Sequence, residues 1–229
     1  MTLDEFQQKN GIHFKNTDLL TQAFIHRSYI NENPRTGLEH NERLEFLGDA
    51  ILELIVTEFL FGKFPNHNEG DLTAYRSALV NAVTLGELAD NLGFNEMIKL
   101  SKGEAKDVSR ARSSILADAY EAFIGALYLD QGYDSAKAFI EKSLLVMTDD
   151  IIKKGLYKDA KSFVQEKAQE LYSVTPMYKV LSEEGPDHDK LFSVGIYFGS
   201  DLIATGEGKS KQEAETKAAK NALEKKGWS

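Results

Sequence analysis

The chain contains no cysteine. Neither a disulfide framework nor a thiolate metal site is therefore available, and a reducing compartment suits it. It also lacks any long apolar run. The greasiest stretch, "AILELIVTEFLF" at residues 50–61, is too short to span a bilayer and is broken by Glu53 and Glu58. The opening "MTLDEFQQKN" carries neither the basic nor the apolar region of a signal peptide. These absences predict a soluble, cytoplasmic protein with no membrane partner. Proline is scarce, with only four residues at positions 34, 65, 176 and 186. Histidine is thin as well: five residues scattered at 13, 26, 40, 67 and 188 offer no ready cluster for metal-free acid–base chemistry. There is no internal repeat and no long low-complexity run.

What is present is a chain of 229 residues, 42% apolar, enough for one large domain or two smaller ones with packed cores. The net charge of −9 argues against a nucleic-acid partner only until it is divided. Residues 1–150 hold 24 acids and 14 Lys and Arg, a balance of −10, whereas residues 151–229 hold 12 and 13, a balance of +1. The two parts call for separate readings.

Helix-period patterns fill the long proline-free gap: "TAYRSALVNAVTLGELADNLG", "SSILADAYEAFIGALYLDQG" and "SAKAFIEKSLLVM", with Gly93 and Gly132 as C-terminal stops. Residues 1–150 read as all-helical. The polar stretch "DDIIKKGLYKDA" suits a linker, placed at 151–157. Beyond it, "KSFVQEKAQELY" reads as an amphipathic helix. "PMYKVLSEEG", "KLFSVGIYFG" and "DLIATGEG" read as three strands, with Phe192, Val194, Ile196 and Phe198 alternating on one face. "SKQEAETKAAKNALEKK" closes as a helix with Ser210 as N-cap. The second domain, 158–227, is thus a small α+β unit of order α-β-β-β-α.

The segment "HNERLEFLGDAIL", residues 40–52, carries three acids in what otherwise reads as one apolar helix. At 100° per residue Glu42, Glu45 and Asp49 fall within about 60° of one face, with Glu53 nearby. Leu44, Phe46, Leu47, Ile51, Leu54 and Ile55 cover most of the rest, the pattern of a buried helix. Desolvating carboxylates costs several kcal/mol, and neighbouring like charges add repulsion. Either the acids line a solvated groove or cations neutralise them. A second helix repeats the feature with Asp118 and Glu121, three residues apart among Ala, Ile, Leu, Phe and Tyr. Two such helices suggest carboxylates converging across an interface. Oxygen ligands without cysteine favour Mg²⁺ or Mn²⁺. Surface acids paired with Arg43 or lysines are the alternative.

"HNERLEFLGDAIL" resembles the signature helix of the bacterial ribonuclease III family, whose members cleave double-stranded RNA. "LLTQAFIHRSY", "NEGDLTAYRSALVN" and "SILADAYEAFIGALYLD" match further blocks of its nuclease domain. "GPDHDKLF" and "GEGKSKQEAETKAAKNAL" are similar to the marks of a double-stranded RNA-binding domain. Nearly the whole chain is covered, in the family's order. The resemblance implies an endoribonuclease acting with Mg²⁺, or Mn²⁺ in its place. It would leave 5′-phosphate and 3′-hydroxyl ends and serve rRNA, mRNA and other RNA processing. Metal ligation by Glu45, Asp118 and Glu121 is implied, with Asp49 completing the catalytic cluster and Glu42 and Glu69 as auxiliary acids. For duplex RNA it implies contacts from Gln165, Glu166, His188, Lys209, Ser210 and Lys211. It implies a homodimer with Phe46 entering the partner's surface, where the residue pattern alone allows a core phenylalanine. His26 and His40 read as structural hydrogen-bonding residues. Gln212 departs from the pattern: it stands where a second adjacent basic residue is common. A binding protein of the same ancestry that holds structured RNA without cutting is the rival reading; the complete set of acids favours the enzyme.

Overall fold

The computed structural model describes residues 1–106, 110–153, 155, 160–186 and 190–228. Two compact units divide the chain, Met1–Tyr157 and Lys158–Ser229. The first is helical: α1 (Leu3–Asn10), α2 (Thr17–Ala23), α3 (Arg27–Glu32), α4 (Glu42–Lys63), α5 (Glu69–Val80), α6 (Ala82–Leu92), α7 (Arg110–Gln131), α8 (Tyr133–Ser143) and α9 (Thr148–Lys153). The second runs α10 (Ala160–Tyr172), β1 (Met177–Glu184), β2 (Leu191–Phe198), β3 (Asp201–Gly208) and α11 (Lys211–Lys226). This is the helical domain followed by the α-β-β-β-α unit that the sequence predicts.

Helix α7 is the central rod of the first unit. Ala117, Ala119, Tyr120, Ala122, Phe123, Ile124 and Ala126 are all buried, because α2, α4, α6 and α8 pack around it. The small alanines let neighbours approach on several sides, and Phe123 fills the gap where they diverge. Phe6, Phe24, Phe94 and Phe123 meet there largely edge to face, with centroids 5.0 Å apart for Phe6–Phe24 and 5.4 Å for Phe94–Phe123. Such pairs add about 0.5–1.5 kcal/mol each beyond area burial.

Three sequence readings need adjustment. The stretch "TAYRSALVNAVTLGELADNLG" is two helices, not one. Asn81 is extended (φ −74°, ψ 157°) and its side chain accepts the N–H groups of Val83 and Thr84. A side chain that offers the backbone such an alternative breaks a helix its apolar period would continue. Second, the stretch read as a linker at 151–157 opens in the last turns of α9, where Ile151 is buried in the helical core and Ile152 packs against it. Third, α4 is not covered all round. Leu44, Ile51, Leu52, Ile55, Val56 and Leu60 face inward, but Phe46 is 82% exposed, with Leu54 and Phe61 also in solvent. An apolar circumference does not say on which sides neighbours sit; α7 and α5 cover only part of this one.

In the second unit the strands pair antiparallel in the order β1-β2-β3. Val180 faces Val194 and Ser182 faces Ser193, so Leu181 is an extra residue that bulges β1. Val194, Ile196 and Phe198 are buried as their alternation predicts, with Phe192 half-buried. Of these, Ile196 and Phe198 join a core with Val164 and Ala168 of α10 and the alanine face of α11. Ser210 caps α11, its hydroxyl accepting the N–H of Glu213 at 3.2 Å.

Candidate active site

The α4–α7 packing is the most extensive between any two elements, and it is closest at two glycines. A Cβ on Gly48 would fall onto the backbone carbonyl of Glu121, and one on Gly125 onto the carbonyl of Leu44. Bare backbone therefore meets bare backbone. Gly48 lies between Glu45 and Asp49, and Gly125 one turn beyond Glu121, so the crossing brings the acid-bearing turns of both helices together. No bulky residue could stand at either position without prising the helices apart.

Glu45, Asp118 and Glu121 each place one carboxylate oxygen within 4.8 Å of the other two, and all three are half-buried. Three hard oxygen donors at this separation, with no sulfur or imidazole among them, suit a divalent cation of the Mg²⁺, Mn²⁺ or Ca²⁺ class. The electrostatics say the same. Burial, then Asp118, Glu42 and Asp49, push the Glu45 carboxyl up to about 7. Burial, then Asp49, Asp118, Glu45 and Glu53, push Glu121 up to about 8. Asp118 is raised too, chiefly by burial, with His26 opposing. A cluster that resists its own ionisation is one that a cation stabilises.

The other predicted acids take different places. Asp49 is exposed and acts on both Glu45 and Glu121 through its charge. Glu42 opens α4, near Arg27 (3.5 Å) and the His40 ring (3.7 Å), and also acts on Glu45. Glu69 is apart from the cluster among the described residues. It opens α5, one residue after the Asn68 cap, and lines a groove with Leu60, Phe61, His67 and Arg76. Glu53, which helical facing left ambiguous, bears on Glu121.

In the second unit Gln165 and Glu166 are exposed on α10 and line a shallow depression with Ser162 and Gln169. Gln212 lines a neighbouring depression together with Gln165. Lys209 and Lys211 flank the capping Ser210. The Lys211 ammonium pairs with Glu183 at 2.9 Å and sits over the Phe192 ring. His188 lies outside the described residues. Sequence reasoning missed the Gly48–Gly125 contact and the Glu183 partner. A small residue one turn from an acid on each helix was the available signal for the first; nothing local signalled the second.

Comparison with known proteins agrees with this geometry. A Ribonuclease-III-like family model matches residues 16–148, and a double-stranded RNA binding motif matches residues 160–226. The chain is 47% identical over 223 residues to ribonuclease 3 of Geobacillus kaustophilus, covering 96% of this chain and 89% of that one. To ribonuclease 3 of Bdellovibrio bacteriovorus it is 44% identical over 221 residues, covering 96% and 94%. The solved nuclease domain of ribonuclease III from Campylobacter jejuni superposes with a TM-score of 0.56 at 38% identity, covering 62% of this chain and 93% of that one. A second structure of that domain, also with a TM-score of 0.56 at 38% identity, covers 63% and 99% and concerns flexibility in a region involved in dimer formation. With a nuclease-type helical domain, a carboxylate cluster at its central crossing and a duplex-RNA-binding motif following it in the sequence, the chain belongs to the ribonuclease III family.

Proposed function

We propose that this chain is an endoribonuclease that hydrolyses double-stranded RNA with a divalent cation, Mg²⁺ or Mn²⁺ in its place, leaving 5′-phosphate and 3′-hydroxyl ends. The observation that carries the reading is the approach of Glu45, Asp118 and Glu121 to within 4.8 Å at a crossing built of glycine. A bound divalent cation supplies Lewis acidity, activating water and neutralising charge that develops on the phosphoryl oxygens. The chain's own part is to hold the three oxygens ready and to give up the protons that burial otherwise keeps on Glu45 and Glu121. Asp49 adds negative potential at the rim and completes the catalytic set. Glu42 and Glu69 serve as auxiliary acids, with Arg27 steadying Glu42.

Duplex RNA is held by shape, since A-form helices expose 2′-hydroxyls and phosphates rather than readable base edges. Gln165 and Glu166 present hydrogen-bonding groups from α10, and Lys209, Ser210 and Lys211 meet phosphate at the start of α11, where helix polarity favours anions. His188 would add a further contact. Phosphate competes with Glu183 for Lys211, at small cost because exposed pairs contribute about 0–1 kcal/mol. Cutting both strands calls for two clusters related by a two-fold axis. A homodimer with the exposed Phe46 in its interface supplies them. Precursors of rRNA and other structured transcripts in the cytoplasm are the substrates this reading gives.

Cleavage of a long RNA duplex, assayed with Mg²⁺ and in excess EDTA, tests it. Glu121→Gln is expected to stop cleavage while leaving duplex binding nearly intact. Normal turnover by that variant, or by the unaltered protein in EDTA, overturns the reading.

A further inference from the structure

Gln212 follows Lys211 at the start of α11, yet the two side chains leave the helix in different directions. Lys211 leans toward the sheet, onto Glu183 and the Phe192 ring. Gln212 faces α10. It lines a depression of about 490 Å³ with Lys161, Gln165, Pro176, Tyr178 and Thr216. The frame of that depression is fixed. The Lys161 ammonium pairs with Glu215 at 2.7 Å and lies 4.9 Å from the centre of the Tyr178 ring. The Thr216 hydroxyl donates to the Gln212 carbonyl at 2.9 Å. Lys161, the cation of this wall, is thus already neutralised. Among the described residues, no hydrogen bond within the chain engages the carboxamide of Gln165 or of Gln212.

The chemistry of two facing carboxamides selects a partner. Each donates through its NH₂, accepts through its oxygen and carries no charge. Beside a lysine, such a group adds little to the holding of a phosphate. It matches a hydroxyl, which also donates and accepts. Two of them across one depression can meet both functions of a single hydroxyl. Duplex RNA displays 2′-hydroxyls along its wide, shallow minor groove, and that group is what separates RNA from DNA. A strand held by Gln165 and Glu166 on one side and by Lys209, Ser210 and Lys211 on the other crosses the depression between them.

We infer that Gln212 is a specificity-determining residue for duplex RNA, binding a ribose 2′-hydroxyl together with Gln165 in the depression between α10 and α11. The inference rests on the reading of Gln165 and Lys211 as duplex contacts and adds a residue to it. A lysine at 212 would attract phosphate on any duplex. The glutamine reads the sugar.

Two duplexes of one sequence test it, one of RNA and one with 2′-fluoro riboses in both strands, which keeps the A-form but removes the O–H donor. Binding to the full-length chain is measured in EDTA, so that neither is cut. Gln165 and Gln212 are exposed, so their variants should keep the melting temperature. The unaltered chain is expected to prefer RNA. Gln212→Ala should weaken RNA binding about 2–10-fold, the worth of a hydrogen bond or so, and narrow the preference by the same factor. Its affinity for the fluoro duplex and its salt dependence should not change. Gln165→Ala should behave alike, and the double variant should lose little more than either, because both amides serve one hydroxyl. Gln212→Lys should bind both duplexes more tightly, steepen the dependence of log affinity on log salt by about one unit, and narrow the preference. An RNA preference in Gln212→Ala equal to that of the unaltered chain overturns the inference. So does a fully additive loss in the double variant. If Gln165→Ala and Lys211→Ala both keep full RNA affinity, the duplex-contact reading beneath it falls as well, a result distinct from either.

Discussion

Glu45 and Glu121 bind their protons more tightly in the fold than an ordinary glutamate does, about 7 and about 8 against 4.5. The resulting stabilisation is present in full below the ordinary value and is lost as the pH rises through the folded ones. The cation-free protein should therefore melt lower at pH 8.5 than at pH 5 through this cluster. Glu121→Gln, which mimics the protonated carboxyl, should leave the pH 5 melting temperature alone. At pH 8.5 it should raise it by roughly 2–4 °C, the shift that about 1 kcal/mol produces in a chain of this size. Equal melting temperatures of variant and unaltered protein at pH 8.5 would contradict the strained cluster. In the second unit the Lys211–Glu183 pair makes a different demand. Glu183→Gln frees the ammonium and should tighten duplex binding by up to about 5-fold, the equivalent of 1 kcal/mol for an exposed pair. Lys211→Ala should weaken binding and flatten the dependence of log affinity on log salt by about one unit. Unchanged affinity in both variants at low and moderate salt removes Lys211 from the interface.

At the level of elements, the site is a property of how α4 and α7 cross. Neither helix holds a complete cluster: Glu45 and Asp49 come from one, Asp118 and Glu121 from the other. The glycines that permit the crossing are as necessary as the acids. Gly125→Ala drives a methyl into the Leu44 carbonyl. It should destabilise the helical unit by about 1–3 kcal/mol, as overpacking does, and weaken Mn²⁺ binding. Gly62→Ala, in the same α4 but with nothing within 4 Å, is the control. It should stabilise by about 0.5–1 kcal/mol through helix propensity and leave Mn²⁺ binding unchanged. Denaturant titration and calorimetry read both, and wild-type Mn²⁺ affinity in Gly125→Ala would show that the spacing of the crossing does not matter.

For the molecule as a whole, the exposed side of α4 is the feature a lone chain leaves unexplained. Phe46 at 82% exposure, with Leu54 and Phe61 further along, is costly surface for a monomer. Because Phe46 packs so little within the chain, Phe46→Asp should leave the protomer folded, within about 0.5 kcal/mol. It should also shift the sedimenting species from dimer to monomer at micromolar concentration. A monomeric unaltered protein at that concentration would rule out the homodimer. Among the described residues no helix is long and apolar enough to cross a membrane. The acidic balance of residues 1–150 and the near-neutral 151–229 fit a division in which one part gathers cations and the other meets phosphate.

The sequence by itself determined the helical unit, the α-β-β-β-α order and the acids, because these rest on local periodicity and on residue chemistry that a linear pattern carries. The cap at Ser210 and the alternation in β2 were legible for the same reason. The break at Asn81 was harder to see, since a side chain competing for backbone N–H groups leaves the apolar period intact. Only the tertiary structure decided that Phe46 faces solvent, that Lys211 is paired with Glu183, and that Glu69 stands apart from the cluster. These depend on which neighbours arrive from elsewhere in the chain. The cluster itself lies between the two cases. Facing could put acids on one side of each helix, but only the contact at Gly48 and Gly125 brings the two sides within reach of one ion.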